Sequence, residues 1–497
     1  MDPHEIVNIE LQVLGSALRA VAEEMGAVLV RSAFSANIKE RRDCSTALFA
    51  EDGRMIAQAE HIPVHLGAMP EAVAAVRERD PRPGDVFVVN DPFTGGTHLP
   101  DITLVSRTGI GYAVSRAHYA DVGGAEPASL PASSTDIYQE GIVIPPVRLT
   151  DEVLTILFAN MRNPDERRGD LRAQLAAHRL AETRLAELVD RRGVDRVEAA
   201  MSELFAYSER RVRAAVAALP DGRYEASDVL EAQDGELVIR AAVTVAGDEI
   251  DVDFTGTDGQ HDGNLNCPLA VTRSAAYFVV RCLTDPDVPA SGGAFAPVRV
   301  HAPEGSLVNA RAPAAVVAGN VETSSRIADV LFRAFGQAVP VPAQGQGTMN
   351  NLTFGNARFS YYETIAGGQG GCPNGDGPSA VHVAMSNTLN TPVEALELAY
   401  PLRVERYALR LGSGGKGRFW GGDGVIREIT ALEPCRVSIV SERRSRGPGG
   451  TRGGEPGQPG RNLVDGDPVP GKVTLSLEAG ESVTIETPGG GGFGSAS

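Results

Sequence analysis

The chain has 497 residues, with 64 acidic and 46 basic side chains and a formal net charge of −18. A field of that sign repels phosphate backbones and anionic lipid surfaces, so we expect neither a nucleic-acid-binding nor a membrane-surface function. The length allows roughly two to four domains, each large enough to bury its own core.

The sequence also indicates the cellular compartment. It contains no run of about 18 apolar residues, the minimum for a membrane-spanning helix. The N-terminus lacks the basic start and short apolar core of a secretory signal. Its five cysteines are scattered without a CxxC pair, which indicates reduced thiols. We therefore expect a cytoplasmic protein.

Apolar residues recur at helical spacing at the start of the chain and predict a long amphipathic helix from Pro3 to about Phe34. The segment 46–50 is followed by Asp52-Gly53 and 55–57, a pattern typical of a β-hairpin. Asp43 stands just before the first of these strands. A short helix near 71–79 and a strand over 86–89 are predicted next.

The composition changes to Arg, Ala, Leu and Glu between 162 and 218, which predicts two helices broken near Gly193. Strand patterns then follow at 237–240 and 250–254. Glycine and proline become dense after Gly367, and alternating strands and turns indicate a β-rich region. Its clearest predicted strands are 403–411, 437–440 and 473–477.

These patterns predict a multi-domain α+β protein. We expect an N-terminal domain over 1–218, with long helices, a mixed β-sheet and a metal-site hairpin. An α/β middle domain should span 219–350. A glycine-rich, β-rich C-terminal region should occupy 351–497.

The segment Asn90–Asp101 holds the richest group of polar side chains. The pair Gly95-Gly96 and Pro100 exclude a regular helix there, so we predict a strand, a bent loop and another strand. A turn near Gly109 would then fold the strand ending at His118 back antiparallel, which places position 118 opposite about position 100.

That register brings His98, Asp101 and His118 together. Two imidazoles and a carboxylate with open positions are typical of a catalytic Zn, Mn or Fe site. The same spacing fits equally well a loop-capping His98 and a hydrogen-bonded strand His118. Structural roles are the favoured interpretation for four other histidines, of which His65 lies nearest to these motifs: His61, His65, His178 and His382.

Several segments together resemble the hydantoinase B/oxoprolinase family, over nearly the whole chain. The segments are 39–43, 61–67, 90–101, 117–124, 387–394, 412–419 and 487–494.

The resemblance implies a metal site at Asp43, His98, Asp101 and His118. Many relatives carry two adjacent histidines where this chain has His118-Tyr119, so the ligand is assigned to His118. Asp121 just beyond it is our candidate for orienting His118 or moving a proton, although it could equally form a turn before Gly123.

A phosphate loop is not evident. Gly412–Gly417 lacks the hydroxyl residue required after Lys416, so a glycine-rich turn is favoured. The family resemblance implies that a separate hydantoinase A-type subunit binds and uses ATP, in a hetero-oligomer. The arginine pairs Arg41-Arg42 and Arg443-Arg444 could meet a phosphorylated intermediate, but surface ion pairs are the favoured interpretation.

The resemblance therefore implies an ATP-dependent hydrolase of small cyclic amides, such as hydantoins, lactams or 5-oxoproline, whose metal subunit is this chain. One alternative is a subunit of an ATP-dependent ketone carboxylase. Another is a scaffold subunit without catalysis, which would hold no metal.

Overall fold

The computed structural model describes residues 3–60 and 62–495, so His61 lies outside the described part of the chain. It combines helices with mainly antiparallel sheets, which confirms the α+β class. Its α-helices are α1 (Pro3–Ser32), α2 (Ala36–Lys39), α3 (Met69–Arg77), α4 (Asp151–Ala159), α5 (Pro164–Arg192), α6 (Val194–Val216), α7 (Leu269–Leu283), α8 (Ser324–Phe335) and α9 (Val393–Ala399). None of the helices described is long and apolar enough to cross a bilayer.

The described strands fall into four sheets. They are β1 (Cys44–Ala50), β2 (Met55–Glu60), β3 (Val86–Val89), β4 (Asp101–Thr108), β5 (Gly111–His118), β6 (Val147–Arg148), β7 (Gly222–Ala232), β8 (Gly235–Ala246), β9 (Glu249–Asp253), β10 (Val298–His301), β11 (Asn351–Gly355), β12 (Ser360–Glu363), β13 (Leu402–Arg410), β14 (Gly424–Ala431), β15 (Cys435–Val440), β16 (Arg461–Val464), β17 (Asp467–Val469), β18 (Lys472–Leu477) and β19 (Ser482–Glu486).

The first sheet has the strand order β2-β1-β5-β4-β3-β6, and the predicted hairpins form its β1–β2 and β4–β5 pairs. We expected a mixed sheet, but every described pair in it is antiparallel. Tight turns join β1 to β2 and β4 to β5, and such turns connect only antiparallel strands. Side chains of β1 alternate between two apolar cores: Phe49 joins one and Leu48 the other. Both faces of this sheet are therefore covered.

Helices α1 and α5 pack together against one face. The predicted helix pair is confirmed in α5 and α6. Pro164 begins α5, acidic side chains occupy its first turn, and Arg191 and Arg192 occupy its last turn, an arrangement that complements the helix dipole. Gly193, with φ of 85°, separates the two helices.

The middle sheet has the order β10-β9-β8-β7 and packs against α8. The C-terminal region contains two antiparallel sheets, ordered β12-β11-β15-β18 and β13-β14-β19-β16-β17, which confirm its β-rich character. Each sheet lies within one predicted domain. One apolar core nevertheless runs from Phe49 through Val243 and Leu331 to Val440, so the three-domain division stays a prediction.

Glycine-rich segments of the C-terminal region pack backbone against backbone. The Gly490 amide donates to the Gly422 carbonyl at 2.9 Å, and its own carbonyl accepts from the Gly415 amide at 2.8 Å. A Cβ atom at position 490 would lie 2.0 Å from the Gln369 carbonyl oxygen. Such close approach admits only glycine.

We therefore expect Gly490→Ala to lower the free energy of unfolding by more than about 3 kcal/mol, since backbone rather than a movable side chain is in the way. Urea denaturation would measure the change. Gly259→Ala is the matched control, because a Cβ there meets nothing within 4 Å. Equal stability of the two variants would contradict the close packing.

His178 on α5 lies between two serines of the first sheet, with Nδ1 2.6 Å from Ser106 Oγ and Nε2 2.8 Å from Ser115 Oγ. Burial lowers the pKa of this imidazole to about 3. An unfolded histidine has a pKa of about 6.5. Below that value the unfolded chain takes up a proton that the folded chain refuses, so stability present above pH 6.5 is lost as the pH falls toward 3.

We expect the free energy of unfolding of His178→Gln to depend less steeply on pH between 4 and 6, by about 1.4 kcal/mol per pH unit, the contribution of one proton. Urea titrations at several pH values would measure the slope. The exposed His301→Gln variant should keep the wild-type slope. An unchanged slope in His178→Gln would show that this group does not titrate as described.

Candidate metal centre

The loop from Asn90 to Asp101 is fixed by its own polar groups. The Asn90 side chain donates to the Leu99 carbonyl at 2.8 Å and accepts from the Ile144 amide at 2.7 Å. Gly95 has φ of 101°, and a Cβ at Gly96 would lie 2.1 Å from the Asn90 carbonyl oxygen. The glycine pair thus allows the tight bend that presents His98.

The β4–β5 register brings the candidate ligands together. Asp101 lies directly opposite His118, which confirms the predicted hairpin to within one residue. The period of two in each strand also puts both side chains on the sheet face that carries Tyr112 and Val114, away from α1 and α5. The cluster therefore faces the core shared with the middle of the chain.

Three ligand atoms form a nearly equilateral triangle. His98 Nε2 lies 3.2 Å from His118 Nδ1, and both nitrogens contact Asp101 Oδ1, at 3.0 and 3.1 Å respectively. All three residues are buried. A tetrahedral ion with bonds of about 2.0 Å would hold its ligand atoms roughly 3.3 Å apart. The triangle therefore has the size that a divalent ion requires.

Hydrogen bonds alone do not account for this triangle. Each of the two nitrogens can carry only one proton, so two protons at most serve three contacts. His98 Nδ1 is also buried without a partner among the described residues. Two imidazoles and a carboxylate with unfilled positions fit a divalent cation of the Zn, Mn or Fe type.

The charge states suit a metal. The pKa of the Asp101 carboxyl lies well below its usual value. Burial alone would raise this pKa, but the charge of His98 and hydrogen bonds from His118, His65 and His98 lower it further than burial raises it. Burial lowers the pKa of His118, against the raising effect of its hydrogen bond with Asp101. An ionised carboxylate and a neutral imidazole are the forms that bind metal.

His65 joins the cluster, although sequence reasoning favoured a structural role for it. Its Nε2 lies 3.5 Å from Asp101 Oδ2, and its Nδ1 lies 2.9 Å from Ser45 Oγ on β1. Thr97 Oγ1 donates to the same Asp101 oxygen at 2.5 Å. Such partners fix the orientation of a ligating carboxylate. The position of His65 within the 61–67 motif was the one signal for it.

Asp43 lies at the mouth of β1, as predicted, and its carbonyl accepts from the His118 amide at 3.0 Å. It lines the same cavity as His98, Asp101 and His118, a space of about 20 Å³. A cavity of this size holds a water-sized group. Tyr362 closes one side, with its ring stacked on His118 at 4.7 Å between centroids, and no sequence pattern indicated it.

Asp121 does not contact His118. One of its carboxylate oxygens accepts from the Gly123 amide at 2.8 Å and the other from the Ala128 amide at 2.9 Å, and Arg162 pairs with it at 3.1 Å. These contacts match the turn-forming alternative and organise the loop after β5. Tyr119 also lies outside the cluster, since its hydroxyl donates to Gln174 Oε1 at 2.9 Å.

A family model described as hydantoinase B/oxoprolinase matches residues 8–496. The chain belongs to this family. The resemblance found in its motifs is thus confirmed over nearly the whole sequence.

Several family members are closely similar. A protein of Methanocaldococcus jannaschii, MJ0963, is 40% identical over 98% of this chain and 90% of its own length. The 5-oxoprolinase 1 of Arabidopsis thaliana is 39% identical, but this chain covers only 42% of it. A crystal structure of ATP-dependent caprolactamase from Pseudomonas jessenii superposes with a TM-score of 0.92 at 30% identity, over all of this chain and 91% of that one.

We expect His98→Ala and Asp101→Ala each to lower the bound metal content roughly tenfold or more, because each removes one side of the ligand triangle. Elemental analysis of the purified proteins would measure this, with circular dichroism to show that the fold remains. His301→Ala, an exposed histidine outside the cluster, is the control and should keep the metal. Full metal content in either cluster variant would rule out this site.

Proposed function

We propose that this chain is the metal-binding subunit of an ATP-dependent cyclic amidase, which opens the ring of a small hydantoin, lactam or 5-oxoproline-type substrate. The buried triangle of His98, Asp101 and His118 carries the proposal. Family membership and the similarity to an ATP-dependent caprolactamase support the reaction class.

The glycine-rich segment after Leu411 supports a separate ATP-binding subunit. A phosphate loop needs free backbone amides that point at the phosphates. Here the Gly414 amide donates to Asp423 Oδ1 and the Gly415 amide to the Gly490 carbonyl, both at 2.8 Å. We therefore assign ATP to a hydantoinase A-type partner in a hetero-oligomer. The chain spans less than half of the curated 5-oxoprolinases that it matches, which leaves room in them for such a function.

An amide carbonyl resists water because resonance stabilises it, and phosphorylation of its oxygen by the partner would remove that stabilisation. A divalent cation held by Asp43, His98, Asp101 and His118 would lower the pKa of a water molecule toward about 7. Asp101 keeps its charge next to the histidines, and His65 and Thr97 hold its second oxygen in place. Asp101 and the three histidines line a cavity of about 20 Å³.

A reconstituted pair of this chain and a hydantoinase A-type subunit should hydrolyse cyclic amides with ATP turnover. Removing the metal with a chelator should abolish ring opening, and adding a divalent ion should restore it. Asp101→Asn should lower kcat/KM by roughly a hundredfold or more, since it removes charge from the ligand triangle.

The substrate panel should contain hydantoins, 5-oxoproline and lactams, with ketones plus bicarbonate as the comparison. Turnover of ketones alone would establish carboxylation instead. Ring opening that survives both the chelator and Asp101→Asn would contradict a metal-dependent reaction.

A further inference from the structure

Arg41 is buried, although arginine pairs in this sequence were expected to form surface ion pairs. Only 1% of the surface of Arg41 is exposed. Among the residues that the structure describes, no carboxylate lies within 4 Å of its guanidinium. An unneutralised buried charge is costly and is retained where it serves a purpose.

The guanidinium is held by neutral oxygens. It donates to the Tyr362 carbonyl at 2.7 Å, to Thr364 Oγ1 at 2.8 Å and to Thr388 Oγ1 at 3.3 Å, with Asn37 Oδ1 more distant at 3.5 Å. It also lies 4.9 Å from the centroid of the Tyr362 ring. Its Nε is buried with no hydrogen-bond partner among the described residues. None of these contacts cancels the positive charge.

Thr364 and Thr388 connect Arg41 to the metal cavity, because both accept hydrogen bonds from Arg41 and both line the cavity. Their hydroxyls are 2.7 Å apart, so one proton serves that contact. Both oxygens accept from Arg41, and Thr388 Oγ1 also lies 3.3 Å from His382 Nε2. In the tautomer that carries the proton on His382 Nε2, His382 donates to Thr388 and Thr388 donates to Thr364. The Thr364 proton then has no other acceptor among the described residues and is available to a ligand in the cavity.

The charge balance of the cavity favours an anion. Asp43 and Asp101 supply two negative charges, and a divalent cation would cancel them. Arg41 then leaves a net positive charge beside a space for one water-sized group. A single anionic oxygen of a larger ligand fits both the size and the charge.

We propose that Thr364 and Thr388, polarised by Arg41, form an oxyanion-binding wall of the metal cavity that contacts an anionic oxygen of the activated substrate. This inference rests on the proposed function. Arg41 acts as a positioning residue, and the two hydroxyls touch the ligand. The oxygen could come from a phosphoryl group or from a substrate carboxylate.

Thr364→Val and Thr388→Val test the wall, because valine keeps the volume and removes the hydroxyl. Inorganic phosphate and acetate would be titrated into the metal-loaded protein by calorimetry. We expect at least tenfold weaker anion binding in each variant, with unchanged metal content. Weakened phosphate binding indicates a phosphoryl ligand, and weakened acetate binding alone indicates a carboxylate. Thr430→Val, a buried threonine between distant C-terminal strands, is the control and should bind like the wild type.

Kinetics of the reconstituted pair provide a second measurement. We expect kcat/KM to fall by roughly tenfold or more, in line with the weaker anion binding. Arg41→Lys should also lower activity, because the lysine ammonium lacks the planar set of donors with which the guanidinium holds two hydroxyls and a carbonyl. If the wild type binds metal and turns over while the threonine variants keep wild-type anion affinity and kcat/KM, the wall is overturned and the proposed function stands. Absence of metal in the wild type would instead remove the proposed function.

Discussion

The pairing of β4 with β5 is the constraint on which the site depends. Because Asp101 lies opposite His118, a carboxylate oxygen and an imidazole nitrogen come within 3.1 Å. A shift of one residue would turn one of these side chains toward the opposite face, where α1 and α5 pack. The bend at Gly95-Gly96 turns the chain back toward β4, and His98 then completes the triangle.

The electrostatics of this region combine charges that would be unfavourable alone. Asp101 is buried and ionised, and three histidines and a threonine surround its two oxygens. Arg41 is buried nearby, and no described carboxylate pairs with it. A bound cation and an anionic ligand would neutralise both groups together, so the cost of burying them is recovered only when the site is filled. Such an arrangement is typical of a functional rather than a structural network.

The site is also a meeting point of distant parts of the chain. His98 comes from the loop before β4 and His118 from β5, whereas Tyr362, Thr364 and Thr388 come from the C-terminal region. The glycine-rich segments hold that region together through backbone contacts. A defect in this packing could therefore alter the cavity without touching a ligand residue.

The sequence by itself determined the local features. Hydrophobic periodicity predicted the long helices, and Gly193 predicted the break between two of them. Turn residues predicted both N-terminal hairpins. These signals act over a few neighbouring residues. Hairpin geometry was enough to join His98, Asp101 and His118. Only the tertiary structure decided that His65 supports Asp101, that Asp121 binds its own loop, that Tyr362 lines the cavity and that Arg41 binds two of its threonines. Those contacts join residues up to 321 positions apart, such as Arg41 and Tyr362, and no local pattern encodes which distant surfaces will pack together.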